Sequence, residues 1–204
     1  MPRIDPSACN GAPLEAPERI EGYTLHDVWR VDLAHRGDCD VPALITVIER
    51  SRRESLPLGV RWLFALRRSF GRWLRLDTPP REAARPRHGE SHREERDPRV
   101  PRSVEEASHR APGSTLGPFR VLYVLPHEAM FHVINRTVDA IVVVTIRSEV
   151  WGSRLDWSTY LAPVGRVTGI YMALIDPFRR RVVYPALEDW IVRRWRDRSE
   201  APPA

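Results

Sequence analysis

Four segments that alternate between apolar and polar residues follow one another after Pro118, and the connections between them are short. Alternation with a period of two is typical of β-strands, because successive side chains of a strand point to opposite faces of the sheet. Short connections predict an antiparallel sheet, since a parallel crossover needs about a dozen residues or more. The predicted strands are 119–125, 129–134, 137–146 and 155–164, and the apolar run 169–175 is a fifth candidate.

Further elements are predicted on both sides of these strands. A strand at 23–33 is followed by a helix that Asp40 caps, with Pro42 in its first turn, and then by an amphipathic helix at 57–76. Asp176 and Pro177 begin a last helix at 178–196, which Pro185 is expected to break. This order predicts an α+β fold in which a curved antiparallel sheet packs on a C-terminal helix, a helix-grip-like arrangement that can enclose a ligand cavity.

The composition changes sharply between residues 77 and 117. Six prolines interrupt this segment, and its Arg and Glu residues alternate without an apolar period. Such a segment buries too little apolar surface to offset its ordering entropy, so we predict a disordered linker insert at 77–117. It separates a strand and two helices at 23–76 from the sheet and last helix at 118–196. We expect a flexible arm at 1–22 and a flexible tail at 197–204.

The charge pattern disfavours specific nucleic-acid binding. The net charge is +5 and the isoelectric point is about 9.8, but the basic residues are spread along the chain rather than gathered in one patch. All 32 basic residues are Arg, which we attribute to the codon usage of a GC-rich genome. We see no signal peptide, and the longest apolar stretch, 138–146, is too short to span a membrane. The expected compartment is the cytoplasm.

The most specific candidate for chemistry is the hairpin around Asn135 and Arg136. A two-residue loop there would pair Ile134 with Thr137, so that His132 lies opposite Asp139. Glu128 would share their face of the sheet. A His–Asp pair can act as a general base, which makes these three residues catalytic candidates. The alternative is an exposed cross-strand pair, because the opposite face of both strands is wholly apolar and is the better core.

Ligand-binding candidates come from residues that can place a polar group in a cavity. The hydroxyls of Tyr160, Tyr171 and Tyr184 could line it, or these rings could serve packing alone. Arg179 begins a run of three arginines at the start of the last helix, where a positive charge is mildly unfavourable, and it could meet an acidic group. Cys9 and Cys39 form no metal motif, and phosphate-loop, dinucleotide and nucleophile-elbow motifs are missing, so we predict no metal and no cofactor.

The C-terminal half resembles a bacterial family known as domain of unknown function 2867. The resemblance lies in 127–139, in Ser158-Thr159, in Gly169-Ile170-Tyr171 and in Pro177-Phe178-Arg179. It implies a helix-grip-like sheet around a ligand cavity, in a domain that is sometimes fused behind an epimerase-like Rossmann domain. It also marks Arg136 as a further ligand-binding candidate. Thr137 and Arg179 stand where the family pattern has histidines, so two residues suited to acid–base work are missing.

These observations favour a domain that binds a small hydrophobic or amphipathic molecule between the sheet and the last helix. One alternative is an enzyme of the cyclase or dehydratase type, with His132 or Glu128 as base and a tyrosine as proton donor. Another is a peripheral membrane or scaffold protein that uses the arginine face of helix 57–76. A homodimer is left open as the assembly.

Overall fold

Six antiparallel strands form one sheet in the order β1-β6-β5-β4-β3-β2. The computed structural model describes residues 14–33, 39–52, 100–134, 139–162, 173 and 176–200. The strands are β1 (Thr24–Leu33), β2 (Thr115–Leu116), β3 (Phe119–Val124), β4 (Glu128–Ile134), β5 (Asp139–Glu149) and β6 (Gly152–Ala162). The helices are α1 (Val41–Arg52), α2 (Arg102–Glu106) and α3 (Tyr184–Glu200), with a 3₁₀ turn at Pro17–Ile20 and a π-helical turn at Arg179–Val183.

The curved, unclosed sheet and its C-terminal helix confirm the predicted α+β, helix-grip-like class. Helices α1 and α3 pack on one face, which we call the inner face. The inner face carries Val31, Phe131, Val142 and Leu155, and helix α3 supplies buried Trp190, Ile191 and Trp195. The apolar alternation of the central strands therefore identified the core side correctly.

The opposite face of the sheet, which we call the outer face, is also covered. Residues 14–23 and 100–104 pack on it, and Ala16, Val100 and Val104 are buried there against Met130 and neighbouring side chains. Residues 100–117, which the composition assigns to a disordered linker, instead contain α2 and β2. Residues 14–22, assigned to a flexible arm, contain the 3₁₀ turn. The reason for the difference over 100–117 is that Val100 lies before the short helix and Val104 is the buried residue within it, so the segment has too little periodicity to stand out.

The cap predicted for the first helix is confirmed. The Asp40 carboxylate accepts a hydrogen bond from the backbone N–H of Ala43 at 2.6 Å, as an N-cap residue does for an otherwise unpaired helix donor. Helix α1 then runs to Arg52.

The prediction that Pro185 breaks the last helix is wrong. Proline lacks an N–H and its ring crowds the carbonyl four residues earlier, which disturbs a regular α-helix. Here the chain widens into the π-helical turn directly before Pro185, and the Tyr184 N–H donates to the Arg179 carbonyl five residues back. The helix then continues to Glu200. A local change of helical pitch accommodates the proline without a break.

Two predicted elements, the helix at 57–76 and the strand at 169–175 apart from residue 173, lie outside the described residues. Within the described ranges, no helix combines the length and the apolar character that crossing a membrane requires.

Candidate functional site

A charged cluster lies on the inner face, where strand β1 meets the beginning of the last helix. Alternation along β1 turns Asp27, Trp29, Val31 and Leu33 to this face, so Asp27 occupies a position that an apolar residue would normally fill. Its side chain is only 1% exposed. A carboxylate at a core position is costly unless charged or polar partners compensate, and the cluster supplies those partners.

A β-bulge explains why His26 and Asp27 reach the same cluster although they are consecutive. Leu25 pairs with Tyr160 and Asp27 pairs with Thr159, which leaves His26 as an extra residue in β1. A bulge breaks the strict alternation of side chains and re-aims one of them. The two neighbours can therefore both contact residues from the start of the last helix.

Arg179 is the central cation of the cluster. Its Nη1 donates to Asp176 Oδ1 at 3.1 Å, its Nη2 donates to Asp27 Oδ2 at 3.3 Å, and it also contacts the Tyr184 hydroxyl. The Tyr184 hydroxyl donates to the same Asp27 oxygen at 3.2 Å. His26 Nε2 lies 2.8 Å from Asp176 Oδ2. Four side chains therefore hold the two carboxylates in place, since Arg180 Nη2 also donates to Asp176, at 3.2 Å.

The π-helical turn aims Arg179 and Tyr184 at one target. Residues five apart in an α-helix are separated by about 140° around the axis, because the helix has 3.6 residues per turn. A π-turn instead stacks residue i on residue i+5. Arg179 and Tyr184 are five apart and both contact Asp27, so the widened turn builds part of the site.

Burial and charge act together on the ionisable groups of this cluster. Burial raises the pKa of Tyr184, with the Asp27 carboxylate adding to the increase, so this hydroxyl stays protonated and acts as a donor. Burial alone would lower the pKa of Arg179, but Tyr184 and the carboxylates of Asp27 and Asp176 outweigh it and the pKa is raised. The guanidinium therefore remains charged.

The donor atoms of His26, Asp27 and Asp176 lie within 4.8 Å of one another, a spacing that could hold a divalent cation. Nitrogen and oxygen donors of this kind suit several transition metals. The two carboxylates, however, already pair with the guanidiniums of Arg179 and Arg180. A metal ion would have to displace an arginine, so the charge balance favours the cluster as it stands and we assign no metal to it.

The predicted His132–Asp139 contact forms on the outer face, with two differences from expectation. Ile134 pairs with Asp139 rather than with Thr137, so His132 lies opposite Ile141. A shift of two residues in the β4–β5 register leaves every side chain on its original face of the sheet. His132 Nε2 therefore still lies 2.8 Å from Asp139 Oδ1. The pair is also not solvent-exposed, because Tyr23 donates to Asp139 at 2.9 Å and each partner's side chain is 16% exposed.

Glu128 lies farther along the outer face, in a separate buried contact. Its Oε1 accepts hydrogen bonds from the Tyr123 hydroxyl and from the Glu15 backbone N–H. Burial raises the pKa of Glu128, although both hydrogen bonds oppose the change. Burial likewise raises the pKa of Tyr123. This contact ties the segment before β1 to the sheet.

The raised pKa of Glu128 predicts a pH-dependent stability. The folded protein holds the Glu128 proton more tightly than the unfolded chain, in which a glutamate has a pKa of about 4.3. Stability is therefore lost as the pH rises from the unfolded pKa through the folded pKa. We expect Glu128→Gln to remove that loss. Its urea midpoint relative to wild type should increase between about pH 4 and pH 8. Exposed Glu105→Gln serves as control, and a pH-independent difference for Glu128→Gln would contradict the assignment.

Of the remaining predicted ligand-binding residues, the structure describes two, and these lie on opposite faces of the sheet. Arg179 lies in the inner-face cluster, whereas Tyr160 packs against the outer-face core, and Arg136 and Tyr171 lie outside the described residues. Sequence reasoning missed His26 and Asp27 and treated Asp176 only as a helix cap. A signal existed for Asp27, because it shares the alternation of Trp29, Val31 and Leu33 and is charged.

The fold and this cluster define a single-sheet α+β protein with a polar site under the beginning of its C-terminal helix. The chain belongs to the family described as "Protein of unknown function (DUF2867)", whose model matches residues 19–186. The match spans β1, with the bulge, and the turn that carries Arg179. Comparison with curated proteins found no match, and comparison with solved structures found none either.

Proposed function

We propose that this protein binds a small amphipathic molecule on the inner face of its sheet, with the polar end of the ligand at the Asp27 cluster. The observation that carries the proposal is a buried, hydrogen-bonded charge cluster beside partly exposed apolar side chains on the same face. Buried ion pairs contribute little to stability, because desolvation offsets the attraction between the charges. Stabilising the fold therefore does not account for the cluster, whereas binding the polar group of a ligand would.

The apolar body of the ligand would lie on the neighbouring row of the inner face. Thr159, opposite Asp27, is followed two residues later in β6 by Leu161, which pairs with Ala140 of β5, and Ala140 pairs with Val133 of β4. Leu161 and Val133 are half-buried, whereas the row of Val142 and Phe131 is fully buried. An apolar row that begins at a charged cluster has the lining expected of a small-molecule site.

Blocking this row tests the proposal. We expect Val133→Trp to weaken binding of Nile red, a neutral apolar dye, by about tenfold, because the larger side chain would occupy the proposed ligand position. The matched control is Val150→Trp, since Val150 is 99% exposed at the β5–β6 turn. Fluorescence titration measures both affinities, and native mass spectrometry shows whether a co-purified molecule is lost. Equal affinities of the two variants would reject the inner face as the binding site.

The placement of the other candidates favours binding over the rival functions. An enzyme that uses His132 or Glu128 as base would need them beside the ligand, but both lie on the outer face, away from α3. The membrane alternative depends on helix 57–76, outside the described residues. A cytoplasmic location and the absence of specific nucleic-acid binding stay predictions from composition and charge.

A further inference from the structure

Several buried polar atoms of the inner face have no hydrogen-bond partner among the described residues. The oxygens are Asp27 Oδ1 and Thr159 Oγ1, whose residues are at most 5% exposed, and the indole nitrogens of Trp29 and Trp190 also lack a partner. Unsatisfied buried polar atoms are rare in folded proteins, since each costs about 1–3 kcal/mol when no partner replaces water. No group in the part of the chain that the structure describes supplies that hydrogen bond, so both oxygens call for a further partner.

The sheet places these two residues side by side. Asp27 and Thr159 are direct partners in the β1–β6 pairing. Directly opposed residues of an antiparallel pair share a face, and their Cβ atoms lie about 4.5–5.5 Å apart. The second oxygen of Asp27 is occupied by Tyr184 and Arg179, which fixes the carboxylate and leaves Oδ1 as its open acceptor. One small group could contact both open atoms.

The chemistry of the two atoms selects among ligand groups. Asp27 Oδ1 can only accept a hydrogen bond, whereas the Thr159 hydroxyl can donate one and can also accept. A ligand carboxylate would be repelled by Asp27. An ammonium group could donate to both atoms, but it would add a positive charge to a cluster in which Arg179 and Arg180 already balance Asp27 and Asp176. A carbonyl or an ether could not donate to Asp27. A hydroxyl donates and accepts at one oxygen, so it satisfies both atoms.

We infer that the polar group held at this site is a neutral hydroxyl, which donates to Asp27 Oδ1 and accepts from Thr159 Oγ1. The ligand class is therefore an apolar molecule that carries an alcohol or a phenol. This inference rests on the proposed binding function. It differs from the expectation that Arg179 meets an acidic group, because Arg179 is already paired with Asp27 and Asp176.

Four probes with one decyl chain separate the candidate groups: decanol, decyl methyl ether, decanoate and decylamine. Isothermal titration of the wild-type protein should show decanol binding about tenfold more tightly than each of the others, which corresponds to ~1.4 kcal/mol. The ether is the sharpest comparison, since it can accept from Thr159 but cannot donate to Asp27. Equal affinities of decanol and the ether would leave an ordered water as the partner and overturn the inference.

A pair of variants locates the effect. Thr159→Val preserves side-chain shape but removes the hydroxyl, and it should weaken the binding of decanol and of the ether alike, by several-fold, because both accept from Thr159. Ser158→Ala removes a hydroxyl from the adjacent, outer-face position of β6 and should leave both affinities unchanged. Tighter binding of decanoate or decylamine would overturn the hydroxyl assignment alone. Failure of all four probes to bind would instead overturn the proposed function as well.

Discussion

Arg179→Met is expected to lower the free energy of unfolding by about 3–5 kcal/mol, the usual cost of removing one partner from a buried ion pair. Arg179 holds Asp27, whose side chain is 1% exposed, and Asp176. Without the guanidinium, the Asp27 carboxylate keeps only the Tyr184 hydroxyl among its contacts described above. A loss of this size is a large part of the roughly 5–15 kcal/mol that stabilises a typical domain. Urea unfolding followed by circular dichroism measures it.

A second substitution should identify the cause. Adding Asp27→Asn to Arg179→Met removes the uncompensated charge and should recover most of the lost stability. The control is Arg193→Met, which removes an exposed arginine from α3 and should change stability by less than about 0.5 kcal/mol. If the double variant were less stable than Arg179→Met, the cluster would not be held together by charge compensation.

Trp190→Ala is expected to lower the free energy of unfolding by about 3–5 kcal/mol, as large-to-small changes of core aromatics do. Trp190 is 6% exposed and lies in the inner-face core, on the stripe of α3 that faces the sheet. Its indole nitrogen makes no hydrogen bond to any residue that the structure describes, so the expected loss reflects packing and the cavity that remains.

Trp151→Ala is the matched comparison. Trp151 is 45% exposed at the β5–β6 turn and contacts the guanidinium of Arg154. An exposed cation–π contact contributes about 0.5–1 kcal/mol, so the loss should stay near that value. Chemical denaturation compares both variants with wild type. Similar losses at the two positions would show that α3 does not anchor the core as described.

The class of fold could be predicted because it depends on local repeats. Alternation along β4 and β5 identifies their apolar face, and short connections make the strands antiparallel. The helical stripe that contains Trp190 and Trp195 likewise follows from the period of the sequence. The short helix α2 could not be predicted in this way, because a single turn with Val104 as its buried residue has no period to detect.

The candidate site was predictable only in part. The contact between His132 and Asp139 followed from strand parity, which survives an error of two residues in the pairing. Its burial did not follow, because Tyr23 reaches it from 116 residues away in the chain. Arg179 was recognised as unfavourably placed for a helix start, but its carboxylate partners were not.

The sequence by itself determined the strands of the central sheet, the helical stripe of α3 and the core side of the sheet. It also contained a signal for Asp27, a charged residue that shares the alternation of Trp29, Val31 and Leu33, but that signal was not used. Only the tertiary structure decided that His26 meets Asp176 across 150 residues and that a bulge and a π-helical turn aim the side chains of both elements at one point. The physical reason is the separation along the chain over which each kind of information acts. Periodicity reports what one residue shares with its neighbours, whereas a polar site depends on which distant strands and helices pack together and on irregularities in their backbones.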